Sequence, residues 1–475
     1  MTQGTDPRAG AATPASRLAR LTILLGVALV VLDASMVNVA LPAMASALRI
    51  DAADVVWAVK AYQLAVLSLL LPFAALGDRL GHRRVCLAGF ALFALGSVAS
   101  MAADSLPALA AARALQGVAA AAVMSGNTAL VRLAYPDRLL GRGLALNAAT
   151  VAGATAAGPS LGGLILSVAP WPAVFAVGVP LGLLFLALGV RTLPHNPAGA
   201  RQVARIGPLD VLLNAAMFGL LFVGAGALGA AWRPDGGPGS SVGPGSPAAG
   251  LACLAAGVAV GVFYIRRERR KAVPLFPVDL LRIRIFALSI CSSLGAFSAY
   301  TLATIALPFL MLAAWGFTPV QTGLAMTAWP LALMATAAVV APWIGRIPGG
   351  LLGGIGMGVM AAGLLLLATL PTQPSIWSVA WRLVLGGIGF GLFQSPNNHI
   401  IVSAPPVSRA GAASGMLATA RLTGQTTGAV VAAVVFGLVS VADGRGPTLA
   451  LVVAAVLALV AAAISLLRLR ETAPA

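Results

Sequence analysis

The first long apolar stretch, RLTILLGVALVVLDASMVNVALPA at residues 20–43, decides the class of fold. It is about as long as an α-helix that crosses a bilayer, and it lacks the polar and apolar alternation of a spanning β-strand. The rest of the chain is similar, since its 475 residues are 59% hydrophobic and 9% charged, with a mean hydropathy of +0.96. So little charge cannot cover a water-facing surface, which excludes a chain of soluble domains. The sequence predicts an all-α integral membrane protein.

Similar stretches recur along the chain and predict fourteen transmembrane helices. They lie at residues 20–43, 55–76, 86–103, 106–129, 143–167, 172–193, 208–230, 249–265, 285–313, 320–343, 350–370, 376–400, 410–438 and 447–467. Because the number of spans is even, both termini are expected on the same side of the membrane.

The positions of the basic residues predict which side that is. Most of the 30 Lys and Arg residues fall in segments on the side of the termini, including the run from Arg266 to Lys271. Positive residues are retained on the cytoplasmic face, so both termini are expected to be cytoplasmic, in a bacterial inner membrane. This distribution beside anionic lipid headgroups also accounts for the net charge of +17 without a nucleic-acid partner.

An internal repeat divides the chain into two halves. Arg113-Ala-Leu-Gln-Gly117 in the fourth span matches Arg382-Leu-Val-Leu-Gly386 in the twelfth span. The repeat predicts two six-helix bundles plus an inserted helix pair, with substrate carried between the bundles. The expected segments are an N-terminal tail (1–19), an N-terminal bundle (20–193), the inserted pair (208–265), a basic cytoplasmic linker (266–284), a C-terminal bundle (285–467) and a C-terminal tail (468–475).

Asp33 is the one acidic residue expected deep inside a span. An unpaired, ionised carboxylate at that depth is costly, so we expect Asp33 to be paired or protonated and to carry protons. The alternative is a structural carboxylate that is capped by polar groups of a neighbouring helix. Arg113 cannot deprotonate, and we expect it to couple to Asp33, with a side chain that reaches the outer surface as the alternative.

Two further motifs predict moving parts. A loop that places a carboxylate among arginines at a tight turn suits a gate, because its ion pairs can form in one conformation and break in the other. A helix with Pro between glycines allows close helix contact and a bend, for which we favour a gating role over packing alone. The loop reads Gly77-Asp78-Arg79-Leu80-Gly81-His82-Arg83-Arg84, and the helix reads Gly158-Pro159-Ser160-Leu161-Gly162-Gly163.

A substrate cavity between the bundles is expected to be lined by polar and aromatic side chains. The predicted lining residues are Asn38, Trp57, Lys60, Tyr62, Gln63, Gln116, Asn127, Phe393, Gln394, Asn397, Arg421 and Gln425. For Lys60, a place in the cavity and a place at the outer surface are weighed equally. Arg382 is expected to reach the outer surface.

These motifs resemble those of a known family. The stretch 77–84 resembles the loop motif between helices 2 and 3 of the major facilitator superfamily, 113–117 resembles its helix 4 motif, and 158–163 is similar to the helix 5 motif of its antiporters. The stretches 32–42 and 316–324 resemble the fourteen-helix drug:proton antiporters of the EmrB/QacA type.

The resemblance implies the major facilitator fold and proton-driven export. It implies that Asp33 takes the proton or cation role, that Arg113 couples to it, that Asp78 and Arg79 belong to the inner gate, and that Gly158 and Pro159 belong to the antiporter helix. The chain departs from the family where some members carry an acid on helix 2, because Lys60 stands there.

The expected function is a proton-coupled exporter that works by alternating access, without a cofactor or metal, and a monomer suffices because one chain contains both halves. The expected substrate is an amphipathic organic compound, cationic or neutral. An anionic or zwitterionic metabolite is the alternative, since one deep acid faces up to four bases in the spans. An enzyme is not expected, because His82, His195 and His399 lie on loops or helix ends without metal-ligand spacing.

Overall fold

The computed structural model describes residues 14–135, 139–194, 207–231, 246–269, 271, 277–406 and 409–471. Its long helices are α1 (Pro14–Leu48), α2 (Trp57–Leu80), α3 (His82–Met101), α4 (Leu106–Ala134), α5 (Leu140–Val168), α6 (Gly178–Thr192), α7 (Pro208–Ala231), α8 (Pro247–Glu268), α9 (Arg284–Phe309), α10 (Pro319–Val340), α11 (Gly349–Ala368), α12 (Ile376–Ser403), α13 (Ala410–Leu438) and α14 (Arg445–Leu467). Thirteen candidate spans are long and apolar enough to cross a membrane, and α13, which carries Arg421, is a further helix of 29 residues. The all-α prediction is confirmed.

Several helix boundaries differ from the predicted ones. The first helix begins at Pro14, so part of the predicted N-terminal tail is helical. Short helical turns at Ala52–Val55 and Ala173–Ala176 precede α2 and α6. Within the predicted linker and C-terminal tail, Val278–Arg282 and Arg468–Glu471 form 3-10 turns. Residues 1–13, 136–138, 195–206, 232–245, 270, 272–276, 407–408 and 472–475 lie outside the described residues, and His195 is among them.

The two halves pack their helices in the same way, as the internal repeat predicts. In the N-terminal bundle (α1–α6), α4 packs against α2 and α3, and α1 packs against α5 and α6. In the C-terminal bundle (α9–α14), α12 packs against α10 and α11, and α9 packs against α13 and α14. Glycines permit these close approaches, because a Cβ at Gly117 would overlap the backbone oxygen of Tyr62 and one at Gly387 would overlap that of Trp329.

One junction between the bundles, which we call the glycine seam, joins α5 to α10. A Cβ at Gly163 would overlap the backbone oxygen of Pro319, and a Cβ at Gly323 would overlap that of Pro159. The hydroxyl oxygens of Ser160 and Thr327 lie 2.6 Å apart across the same contact. The two backbones therefore touch directly, with no side chain between them.

The inserted helices α7 and α8 lie on the other side of the molecule, where α7 contacts both α2 and α13. Asp210, at the start of α7, pairs with Arg267 at 2.8 Å and with Lys271 at 2.6 Å, and its side chain is 2% exposed. Burial alone would lower the pKa of Lys271, but its bonds to Asp210 and Glu268 raise that pKa above its ordinary value. These ion pairs tie α7 to α8.

The bundles are joined at one end of the molecule and separate at the other. We call the end at which α1 begins and α14 ends the termini end, and the opposite end the far end. A single apolar cluster at the far end contains Leu41 and Met44 of α1 together with Ile305 and Leu310 of the α9 region. Towards the termini end, the apolar residues form two clusters, one mainly of the N-terminal bundle and the insert and one of the C-terminal bundle. The far end is therefore sealed between the bundles.

Candidate functional site

The buried acid and the buried base of the N-terminal bundle are in direct contact. The Oδ2 atom of Asp33 on α1 lies 2.7 Å from a terminal nitrogen of the Arg113 guanidinium on α4, and both side chains are 1% exposed. Each charge alone would be costly at this depth, and the pair offsets part of that cost. The other oxygen of Asp33, Oδ1, accepts no hydrogen bond from the described residues. A buried carboxylate with an open oxygen can take up a proton.

Arg113 is held in place by neutral groups as well as by Asp33. It donates to the side-chain oxygen of Gln116 at 2.6 Å and to the backbone oxygen of Ala58 at 3.0 Å, and it lies over the Tyr62 ring, 4.4 Å from the centroid. Gln116 in turn donates to the hydroxyl of Ser97 at 2.9 Å. Arg113 is therefore held by neutral groups of α2 and α4 in addition to Asp33.

A cavity of about 290 Å³ lies between the two bundles. Arg113 lines it, together with Val30 and Ser35 of the helix that carries Asp33. Other lining residues, such as Leu70 on α2 and Ser414 on α13, lie closer to the termini end. The cavity therefore runs from the buried ion pair towards the end at which the bundles separate.

Half of the predicted cavity residues line this cavity. They are Asn38, Tyr62, Gln63, Gln394, Arg421 and Gln425. All six come from helices that face the interface between the bundles, and four of them are amides.

Trp57 and Lys60 lie elsewhere, on the side of α2 that faces the inserted helix α7. The Lys60 nitrogen lies 4.0 Å from the centroid of the Trp57 ring. A Cβ at Gly226 of α7 would lie 3.4 Å from the same Lys60 nitrogen. Trp57 lines a separate apolar cleft together with Ala215 of α7. The structure therefore does not bring Trp57 and Lys60 to the cavity, and Lys60 lies on a different face of α2 from Tyr62, two positions further along.

The remaining four predicted cavity residues lie inside the bundles. Gln116 bonds to Arg113, and Asn127 donates to Asn147 on α5 at 2.9 Å. Phe393 is fully buried inside the C-terminal bundle, close to Gly353 of α11, and Asn397 is 1% exposed. Their polar or aromatic character serves contacts between helices, which sequence position alone does not separate from contacts with a cavity.

Arg382, the counterpart of Arg113 in the repeat, makes local contacts. It donates to the backbone oxygen of Ser378, one turn earlier, at 2.7 Å and lies over the Trp381 ring, 4.3 Å from the centroid. Both positions are near the start of α12, at the far end. Arg382 therefore agrees with the expectation of a side chain near the surface.

Sequence reasoning missed a buried arginine at the end of α14. Arg468 was assigned to the C-terminal tail, yet it is only 1% exposed. It donates to Asn397 at 2.6 Å, to Ser289 at 3.0 Å and to the side chain of Ser465. These three bonds join α9, α12 and α14. Burial lowers the pKa of Arg468 to about 10, which leaves it charged at neutral pH. The signal available in the sequence was the set of polar residues at matching depths in three spans.

The loop at residues 77–84 forms the tight turn that its glycines predict. Gly81 has a φ of 100°, a conformation that favours glycine, and a Cβ at Gly77 would overlap the His82 ring. Asp78 lies 3.0 Å from the ring nitrogen of His82. Arg83 donates to the backbone oxygen of Val190 on α6. These contacts stay within the N-terminal bundle.

Two arginines of this loop, Arg79 and Arg84, are exposed at the termini end. Neither guanidinium forms an ion pair with the other bundle in the described part of the chain. The role of the loop as an inner gate stays a prediction.

The Gly-Pro stretch of α5 forms a junction of three helices. A Cβ at Gly158 would overlap the side chain of Ser35 on α1, and one at Gly162 would lie 3.1 Å from the backbone oxygen of Met36. On its other side, the stretch forms the glycine seam with α10 through Gly163 and Pro159. The helix that carries Asp33 therefore lies directly against the helix that joins the bundles.

Comparison with known proteins agrees with this architecture. A family model described as Major Facilitator Superfamily matches residues 23–295. The chain belongs to the major facilitator superfamily. This superfamily membership identifies a multi-pass transport protein rather than an enzyme.

Two relatives and one solved structure show the range of similarity within the superfamily. The chain is 43% identical to the "Uncharacterized transporter YebQ" of Escherichia coli over 452 residues, and this aligned region covers 95% of each chain. It is 31% identical to the "Tetracenomycin C resistance and export protein" of Streptomyces glaucescens over 90% of this chain and 78% of that one. A solved POT family transporter in complex with a thioalcohol conjugated peptide shares the fold, with a TM-score of 0.70, 15% identity and 96% coverage of both chains.

Proposed function

We propose that this protein is a proton-coupled exporter of amphipathic organic compounds, of the drug:proton antiporter type. The observation that carries the proposal is the Asp33–Arg113 pair, which is buried in the membrane-spanning region beside the cavity. Ionisable groups at this depth are costly and usually serve transport or proton movement. The likeness to a relative named as a resistance and export protein supports the outward direction.

In the proposed cycle, a proton on Asp33 changes the link between α1 and α4. A neutral Asp33 no longer balances the charge of Arg113, which keeps its bonds to Gln116 and to the backbone of Ala58. Removing one partner of a buried ion pair costs about 3–5 kcal/mol, so protonation of Asp33 has energy enough to bias two conformations.

The change at Asp33 can reach the other bundle through the glycine seam. α1 contacts α5 at Gly158 and Gly162, and α5 contacts α10 at Gly163. Because the helices are in close contact at these glycines, a shift of α1 would move α5 and α10 with it.

We propose that the termini end faces the cytoplasm of a bacterial inner membrane, as the distribution of basic residues suggests. The conformation described above, with the far end sealed, is then the one that accepts substrate from inside. Asp33 binds a proton from outside in the opposite conformation and releases it inside on the return. One chain contains both bundles, so the monomer is the proposed transport unit.

The sequence favoured cationic or neutral compounds and kept an anionic or zwitterionic metabolite as the alternative. The cavity offers amides and aromatic rings that suit an amphipathic body of any of these classes.

Proteoliposomes loaded with a pH dye test the proposal. Lipophilic cations, neutral drugs and organic anions are added in turn, and we expect at least one class to move protons with the native chain. Asp33→Asn should reduce that proton movement to the level of empty liposomes. Asp104→Asn is the matched control, because Asp104 is an exposed acid between α3 and α4. Proton movement that survives in Asp33→Asn contradicts the proposal.

A further inference from the structure

The charges around the cavity do not balance. Among the described acids, Asp33 alone lies deep in a span, because the others within spans lie about one turn or less from a helix end. Asp33 is already paired with Arg113 at 2.7 Å. The lining of the cavity contains two arginines, Arg113 and Arg421, and no Asp or Glu among the described residues. One positive charge is therefore left without a carboxylate.

That charge belongs to Arg421, near the middle of α13. Its guanidinium carbon lies 5.7 Å from the centroid of the Phe297 ring, and none of its donors reaches a hydrogen-bond acceptor in the described part of the chain. A guanidinium stays protonated in proteins and presents a planar fork of N–H donors that matches a carboxylate. In a low-dielectric environment such a charge favours an anionic partner.

The surroundings of Arg421 fit the rest of an amphipathic anion. Phe297 and Tyr300 present aromatic rings in the same cavity, and the Tyr300 ring is stacked on Phe390 with centroids 5.1 Å apart. Gln394 and Gln425 add amide groups that can donate to further oxygens. An acidic group at Arg421 would therefore have an apolar or aromatic body beside it.

We infer that Arg421 anchors the acidic group of the transported substrate, and that this substrate is an amphipathic organic monoanion such as an aromatic carboxylate. The inference rests on the proposed function, in that it takes the cavity to be the substrate site. It departs from the sequence-based preference for cations, because an organic cation would meet the uncompensated charge of Arg421.

The inference also assigns the proton and the substrate to different groups. A cation would compete with Arg113 for the carboxylate of Asp33, so acidification would weaken its binding. An anion at Arg421 on α13 leaves Asp33 on α1 free to take its proton. Exchange of the two is then enforced by the change of conformation and not by competition for one side chain.

Binding to the purified full-length protein in detergent tests the inference. The probes are naphthoate, naphthamide and naphthylmethylammonium, which share one aromatic body and differ in charge. We expect the wild type to bind naphthoate about 10- to 100-fold more tightly than naphthamide, as a charge-assisted hydrogen bond predicts. Arg421→Gln should abolish this preference, and Arg421→Lys should retain part of it.

Arg382→Gln is the matched control, because it removes an arginine from a span without touching the cavity. It should keep the full preference for naphthoate. Thermal unfolding of each variant checks that the variant is folded. If Arg421→Gln does not fold, the reduced preference of Arg421→Lys for naphthoate is the test. A preference that survives in Arg421→Gln, tighter binding of naphthylmethylammonium to the wild type, or no binding of naphthoate at millimolar concentration each overturns the inference. Binding in detergent needs no proton gradient, so its outcome is separate from the proton movement that tests the proposed function.

Discussion

The two bundles share their helix packing but not their charges. In the N-terminal bundle, Arg113 reaches a buried acid, Asp33, and forms an ion pair at 2.7 Å. In the C-terminal bundle, Arg382, Arg421 and Arg468 have no buried acid within the described spans. The repeat therefore provides the scaffold, and the differences between the halves indicate a division of roles. We propose that the first half carries the proton and that the second half binds the charged group of the substrate.

The strongest way to break this comparison is to give the C-terminal bundle an acid of its own. Gln425 lies four residues after Arg421 on α13, and both line the cavity. In Gln425→Glu, the new carboxylate can pair with Arg421 across one helical turn. We expect the affinity for naphthoate to fall by about 10- to 100-fold, while the affinity for naphthamide stays the same. Competition binding with the two probes measures this effect, and an unchanged affinity for naphthoate would contradict it.

The next prediction concerns the seam that joins the bundles. Gly163→Ala places a Cβ on the backbone of Pro319, whereas Gly153→Ala on the same helix meets nothing within 4 Å. We expect Gly163→Ala to slow transport and to lower the free energy of unfolding by about 1–3 kcal/mol, as overpacking does. Gly153→Ala should leave both close to the wild type. Thermal unfolding and proteoliposome flux of the two variants measure this contrast. Equal stability and equal transport rates of the two variants would show that the glycine seam accommodates a Cβ without cost.

A third contrast separates the two arginines that lie outside the cavity in the C-terminal bundle. Arg468→Met removes the bonds to Asn397, Ser289 and Ser465 and leaves buried polar groups unpaired. We expect it to destabilise the protein by about 1–3 kcal/mol. Arg382→Met should cost about 0.5 kcal/mol or less, because its bonds are local and partly exposed. Thermal unfolding of both variants is the measurement, and a larger loss from Arg382→Met would show that the roles of the two are reversed.

The fold and the buried position of Asp33 could be predicted from the sequence, because both follow from the free-energy cost of exposing polar groups to lipid. Long apolar stretches must be helices, and a deep acid such as Asp33 needs a partner. The faces of α2 were harder, since Tyr62 and Lys60 are two residues apart and point in different directions. Nothing in the sequence revealed that α7 covers the side with Lys60.

Arg468 was missed for a related reason. A basic residue directly after an apolar stretch is typical of a topology signal, and only the folded chain brings Asn397 and Ser289 to it. The charge of the cavity needed the structure as well, because the sequence counted the bases in the spans but did not show which of them face the cavity. Of Lys60, Arg382 and Arg421, only Arg421 lines it in the described structure.

The dependence of transport on membrane potential tests the division of roles most directly. If a proton enters at Asp33 while an organic anion leaves from Arg421, each cycle of one-for-one exchange carries two positive charges inward. Each charge contributes about 2.3 kcal/mol per 100 mV, so an inside-negative potential should accelerate naphthoate efflux from proteoliposomes strongly even without a pH gradient. Arg382→Gln should behave as the wild type does. Efflux that does not respond to the potential would contradict the account, because it would indicate an electroneutral cycle.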